Sequence, residues 1–159
     1  MLFRSPGAGF AETPIYTKAL APGKPERPAW EQTLWHWYNA TDYAANLRNL
    51  PTIAYSGEID PQKQSADLME QAMAAEGLKL ERIIGPNTAH KYHPDSKAAL
   101  AKRLDEIVAR GKVSWPTEDH FTTYTLRYSS SGRIKIMEQE KPWERTDVDR
   151  KSTRLNSSH

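Results

Sequence analysis

Hydrophobic and polar positions divide the chain into three stretches of different rhythm. Residues 1–50 keep no steady period, because Pro6, Pro14, Pro22, Pro25 and Pro28 interrupt any long element. Within that stretch Trp30, Leu34, Trp37 and Tyr38 fall at helical offsets. They predict a short amphipathic helix packed against a core. Order rises after Asn49. LPTIAYSG, Leu50 to Gly57, is apolar without polar alternation until Ser56. That pattern suits a strand buried on both faces, as in a parallel sheet. Asp60-Pro61 then opens a helix predicted to reach about Glu76. Its inward stripe is Ala66, Met69, Ala72 and Met73, and Gly77 ends it. Leu78 to Ile84 reads as the next strand, stopped by Gly85-Pro86-Asn87. Pro94 and Asp95 start a second helix with Leu100, Leu104, Ile107 and Val108 on one side and Gly111 at its close. Strand, helix, strand, helix at this spacing predicts an α/β fold.

Beyond Pro116 the period changes to two. In FTTYTLRYSSSGRIKIME, Tyr124, Leu126 and Tyr128 share one face, and Ile134 and Ile136 follow a Ser-Ser-Ser-Gly loop. This predicts a β-hairpin. The expected organisation is an α/β part over 1–115 and a β-hairpin, or the start of an accessory β module, over 116–148.

The last residues are set apart. DRKSTRLNSSH, Asp149 to His159, is the in-frame translation of a common sequencing-library adapter. It is therefore expected to be read-through, disordered and outside the fold. It carries Arg150, Lys151 and Arg154 against Asp149, a net of +2. That equals the formal net charge of the whole chain, +2. The remainder is neutral, so a basic isoelectric point is no argument for a nucleic-acid partner. Composition is otherwise ordinary for a globular chain, 38% apolar and 26% charged. No apolar run reaches the roughly eighteen residues of a membrane-spanning helix, and no membrane partner is expected. Having no cysteine, the chain has no disulfide, no Cys-ligated zinc and no thiol nucleophile. LFRSPGAGF, after Met1, lacks the blocks of a signal peptide.

Reactive residues in open α/β sheets gather at the carboxyl ends of the strands. Two titratable residues stand there. Asp60 follows the first predicted strand in SGEIDPQ, and His90 follows the second in GPNTAHKYH. Neighbouring parallel strands would bring their loops side by side. A carboxylate that accepts a hydrogen bond from an imidazole fixes its tautomer and stabilises the imidazolium. Other readings exist for each. Asp60 before Pro61 is a good helix N-cap. Glu58, closer to the strand, is an alternative acid. His90 alone could be a loop histidine bonded to a carbonyl. His90 and His93 are three apart, but without HExxH or a comparable ligand set no metal is expected. Pro6 to Gly9, PGAG, lacks the ending of a phosphate loop. No G-x-S-x-G occurs. Ser5, Ser56, Ser65, Ser96 and Ser114 all lack the small neighbours of a nucleophile elbow.

PTIAYSGEIDPQKQSADLM followed by GPNTAHKYHPDSK resembles the C-terminal half of the α/β-hydrolase domain in prolyl-oligopeptidase-like serine peptidases. PGAGFAET at Pro6 to Thr13, the LW-x-WY segment at Leu34 to Tyr38 and FTTYTLRY extend the resemblance. It covers nearly all of 5–128 and, more loosely, the stretch to Val148. It implies a Ser-Asp-His hydrolase in which Asp60 is the acid and His90 the general base. No metal or organic cofactor is implied, and the partner is a peptide or ester substrate. In these enzymes the triad runs Ser, acid, His along the chain. The serine is thus expected upstream of Met1, in a longer parent, and this polypeptide is expected to be inactive alone. Related proteins often carry export signals, so an extracytoplasmic parent is compatible with the resemblance. Two rivals stand beside the peptidase. One is a carbohydrate-active or acyl esterase on the same scaffold. The other is a non-catalytic module that binds carbohydrate through Trp35, Trp37 and Tyr38.

Overall fold

Proline spacing leaves room for only short helices in the N-terminal region of the structure, a computed structural model that describes residues 3–7, 9–111 and 118–151. Helix α1 (Thr13–Tyr16) begins with Pro14 in its first turn, and α2 (Ala29–Leu34) follows Pro28. Tight 3₁₀ turns continue at Trp35–Trp37 and Thr41–Leu47. The expected core-packing stripe does not form. Neither α2 nor the turn after it buries a residue, and Trp30 is 65% exposed and Tyr38 68%. Past Leu34 the chain tightens from 3.6 to about three residues per turn, where an offset of three stays on one face but an offset of four does not, so the α-helical stripe is not continued. Ala44 and Ala45 from the second 3₁₀ stretch enter the core instead.

β1 (Ile53–Gly57) is buried at every position. Its pleat sends side chains to opposite faces, and each face is covered. Ala54 packs with Ala44, Ala66, Met73 and Leu80. Ile53 and Tyr55 pack with Leu100 and Ile107. The first group includes α3 (Lys63–Ala75) and the second α4 (Pro94–Arg110), so the two helices lie on opposite sides of the sheet. β2 (Glu81–Gly85) runs parallel to β1, pairing Ile53 with Glu81 through Gly57 with Gly85. On the other edge of β1, Arg4 forms a parallel bridge to Thr52, and the amides of Ile53 and Tyr55 donate to the carbonyls of Arg4 and Pro6 at 3.0 Å each. Three parallel segments therefore carry this part of the chain, and both ends of β1 and β2 are in register.

The C-terminal part differs from the expected hairpin. β3 (Glu118–Thr123) pairs antiparallel with β6 (Thr146–Lys151), not with the residues around Ile134. Leu126–Tyr128 is a 3₁₀ turn, so Tyr124, Leu126 and Tyr128 do not form one strand face. Only a miniature hairpin remains, β4 (Ser130–Ser131) with β5 (Ile134–Lys135), closed by Gly132 at φ 59°. Phe121, Ile134, Ile136 and Val148 form a small core of their own. Asp149, Arg150 and Lys151, expected outside the fold, are the last residues of β6. They face partners on β3: Asp149 meets the ring of His120, while Arg150 and Lys151 meet the carboxylates of Asp119 and Glu118. The rest of that tail, the proposed boundary near 115, Ser114, Pro116 and Ala8 of PGAG lie outside the described residues.

The second edge of β3 is met by side chains. Asn46 donates to the carbonyl of Thr122 at 2.8 Å and accepts its amide at 2.7 Å, standing in for a neighbouring strand. Arg145, before β6, reaches Glu76 at the end of α3 at 2.7 Å. That hydrogen bond holds the Glu76 carboxyl below the usual carboxylate range, against the cost of its burial.

Candidate active site

The carboxyl ends of β1 and β2 each run into a tight turn, and the two turns interlock. The amide of Glu58 donates to the carbonyl of Gly85 at 2.9 Å, and the amide of Ile59 to that of Thr88 at 3.2 Å. Glu58 also accepts the amide of Asn87 at 2.8 Å. Asn87 sits at φ 46°, a left-handed conformation that asparagine tolerates better than most residues. Gly57 makes the approach sterically feasible. A Cβ there would lie 2.1 Å from the carbonyl oxygen of Thr88 and 2.2 Å from that of Ala89.

This lock delivers His90 to Asp60. Nδ1 of His90 lies 3.0 Å from Oδ2 of Asp60. The other carboxylate oxygen, Oδ1, accepts the amide of Gln62 at 2.8 Å. The two carboxylate oxygens of Asp60 are thus divided, one to the amide of the turn before α3 and one to the imidazole. The expected helix N-cap role is not taken: Gln62 is the N-cap residue, and no side chain caps α3. α3 begins at Lys63 behind Gln62, and Pro61 lies in the turn ahead of it, not at the first helical position. Glu58, the alternative acid, faces Asn87 and not the imidazole.

Exposure is divided unequally between the partners. The Asp60 side chain is 2% exposed and that of His90 65%. Where the carboxylate is ionised it can only accept, so a neutral imidazole bonded to it carries its proton on Nδ1 and its lone pair on Nε2. Among the described residues nothing bonds to Nε2. A buried carboxylate thus meets an imidazole whose other ring nitrogen is open, a geometry in which an imidazole can take up a proton.

Two further histidines contact aspartates through Nδ1, and they are built differently. His36 meets Asp42 at 2.7 Å, stacked against the Tyr124 ring at 4.4 Å. Beside them burial and the Asp42 charge push the Tyr43 phenol up to about 12. His120 contacts Asp149 with one nitrogen and the hydroxyl of Thr122 with the other at 3.1 Å. The Asp-His-Thr order looks like a triad, but Thr122 is fully buried and its hydroxyl is committed to Asp147 at 2.6 Å. Both pairs tie β3 and its neighbourhood together. Of these three pairs among the described residues, that of Asp60 and His90 joins a buried acid to an exposed ring.

His93, three residues on, is not drawn to the same point. It is the N-cap residue of α4, half-buried, with Nδ1 unpartnered. Among the described residues no group of three or more His, Asp or Glu side chains converges as a metal site would. The aromatic segment is broken up: Trp35 is half-buried, Trp37 packs edge-on against Trp143 at 5.3 Å, and Tyr38 projects outward. A shallow, open cleft between residues 9–16 and the start of α3, with room for little more than a water molecule, touches neither Asp60 nor His90.

No model of a known protein family matches the chain, and no curated protein or solved structure matches it either. The contacts of Gly57 and Glu58 have no local signal in the sequence. A glycine after a buried strand signals a close backbone approach in general, but its partner lies across the fold at Thr88.

Proposed function

We propose that this chain carries the acid and the base of a Ser-Asp-His hydrolase of the prolyl-oligopeptidase-like type, on the C-terminal part of an α/β-hydrolase sheet. The observation that carries the reading is the 3.0 Å contact between buried Asp60 and exposed His90 at the carboxyl ends of adjacent parallel strands. The third parallel segment at Arg4 to Pro6 and the helices on both faces agree with that scaffold. The serine would come from residues other than these, because no nucleophile elbow occurs in this sequence.

In the reaction, the serine hydroxyl attacks a peptide or ester carbonyl. His90 Nε2 takes the hydroxyl proton as the C–O bond forms. Asp60 steadies the resulting imidazolium. The same proton then passes to the leaving amine or alcohol as its bond to carbon breaks. Water repeats the cycle on the acyl-enzyme, returning the free acid and the serine. An esterase acting on acylated sugars is the second reading, favoured by the exposed Trp30 and Tyr38 rings.

The test is hydrolysis of a peptide anilide and an aryl ester. The enzyme is a polypeptide joining these residues to an upstream G-x-S-x-G. His90→Ala is expected to lower kcat by roughly 10⁴-fold or more. The chain of 159 residues alone is expected to hydrolyse neither substrate. Turnover by that chain, or an unimpaired His90→Ala variant, would overturn the proposal.

A further inference from the structure

Tyr55 lies on β1, 4% exposed, in a stretch whose sequence reads only as apolar. Its ring belongs to the core with Ile53, Leu100 and Ile107. Its hydroxyl does something an apolar residue cannot. It donates to the carbonyl of Lys91 at 2.8 Å and accepts the amide of His93 at 2.8 Å. Between those two residues Tyr92 lays its ring over that of Tyr55, centroids 4.4 Å apart and planes 28° from parallel. One side chain thus holds all three residues that follow His90. Gly85 leaves room for it, since a Cβ there would come within 2.3 Å of the Tyr55 hydroxyl oxygen.

We propose that Tyr55 is a positioning residue for His90. Before the histidine the loop is fixed by Gly57, Glu58 and Ile59. After it the Tyr55 hydroxyl is the anchor, so the backbone of His90 is clamped on both sides. Asp60 then has only the ring rotation to set. A phenol suits the task because it both donates and accepts. Phenylalanine would fill the same volume and leave the Lys91 carbonyl and His93 amide without their partner. The proposal concerns the geometry of the pair. It rests on the hydrolase reading only for its consequence in turnover.

The chain itself can be tested. The His93 amide stands at a helix N-terminus, where amides ordinarily have no backbone acceptor. In the wild-type chain it is expected to exchange at least about tenfold more slowly than the amide of Asp95. In Tyr55→Phe, the ring nitrogens of His90 are expected to change, measured by NMR above the imidazole titration. Distinct protonated Nδ1 and bare Nε2 signals give way to averaged ones, while the far-ultraviolet spectrum stays unchanged. Tyr92→Phe keeps the ring stack and is expected to leave His90 as in wild type. A His93 amide that exchanges as fast as Asp95 overturns the proposal, even if Tyr55→Phe fails to fold. So do identical His90 signals in a folded Tyr55→Phe. In the serine-bearing polypeptide, Tyr55→Phe is expected to lower kcat about tenfold or more with KM little changed. A wild type that hydrolyses nothing, with the His90 tautomer fixed, would remove the hydrolase reading and leave the clamp in place.

Discussion

Gly57 decides how closely the histidine loop can approach the acid-bearing turn. The atoms an added Cβ would meet are backbone oxygens of Thr88 and Ala89, which no rotamer change can move aside. Gly57→Ala is therefore expected to destabilise the chain by about 2 kcal/mol or more. It should also raise amide exchange through residues 86–90. Urea denaturation with site-resolved exchange checks both; unchanged stability and exchange would refute the close approach. At this scale Asp60 and His90 were legible in the sequence, because a residue just past a buried strand lands at a predictable end of the sheet. Tyr55 and Glu58 were not. Their roles depend on partners some thirty residues away, Lys91 and Asn87, across a contact that exists only after β1 and β2 pair in register.

Among the elements, β1, α3, β2 and α4 follow from periodicity, and the ends differ from expectation by only a few residues. Their apolar sets are dense and local. β6 was invisible for the opposite reason. TDVDRK carries one strongly apolar residue, and its partner β3 lies more than twenty residues upstream. It is held by its backbone ladder to β3 and by Val148 in the small core, and β3 is in turn met by Asn46. The Thr122 residue that Asn46 bonds is fully buried. Asn46→Ala would leave a buried amide and carbonyl unpaired. We expect it to cost about 1–3 kcal/mol and to loosen β3 and β6 before the parallel sheet. Hydrogen exchange at Phe121 to Thr123 resolves the order of opening, and simultaneous loss of all strands would contradict it.

Across the whole molecule, acid is expected to act at the junction between the sheet and the C-terminal strands. Arg145 joins Glu76 of α3 to Asp147 of β6. Glu76 is held low chiefly by its hydrogen bond from Arg145. At Asp147 burial works against the charge, but hydrogen bonds from Arg145 and Thr122 outweigh it. A carboxyl whose folded value is depressed adds stability above its unfolded value, and that stability disappears as pH falls through the folded one. The junction should thus weaken below the ordinary carboxylate range, near pH 4 and under. Arg145→Ala should flatten that acid dependence, since neither carboxyl would then be held as low. Denaturation midpoints between pH 7 and about 3 measure it; an unaltered pH profile in the variant would exclude the junction as the acid-sensitive element.

The proposed chemistry depends on one interaction, the carboxylate of Asp60 directing the imidazole of His90 toward a hydroxyl. Its most direct test is the rate at which a fluorophosphonate labels the serine of a polypeptide that contains these residues. Asp60→Asn is expected to slow labelling on the order of 10⁴-fold and His90→Ala at least as much. Labelling at the wild-type rate in both variants would contradict it.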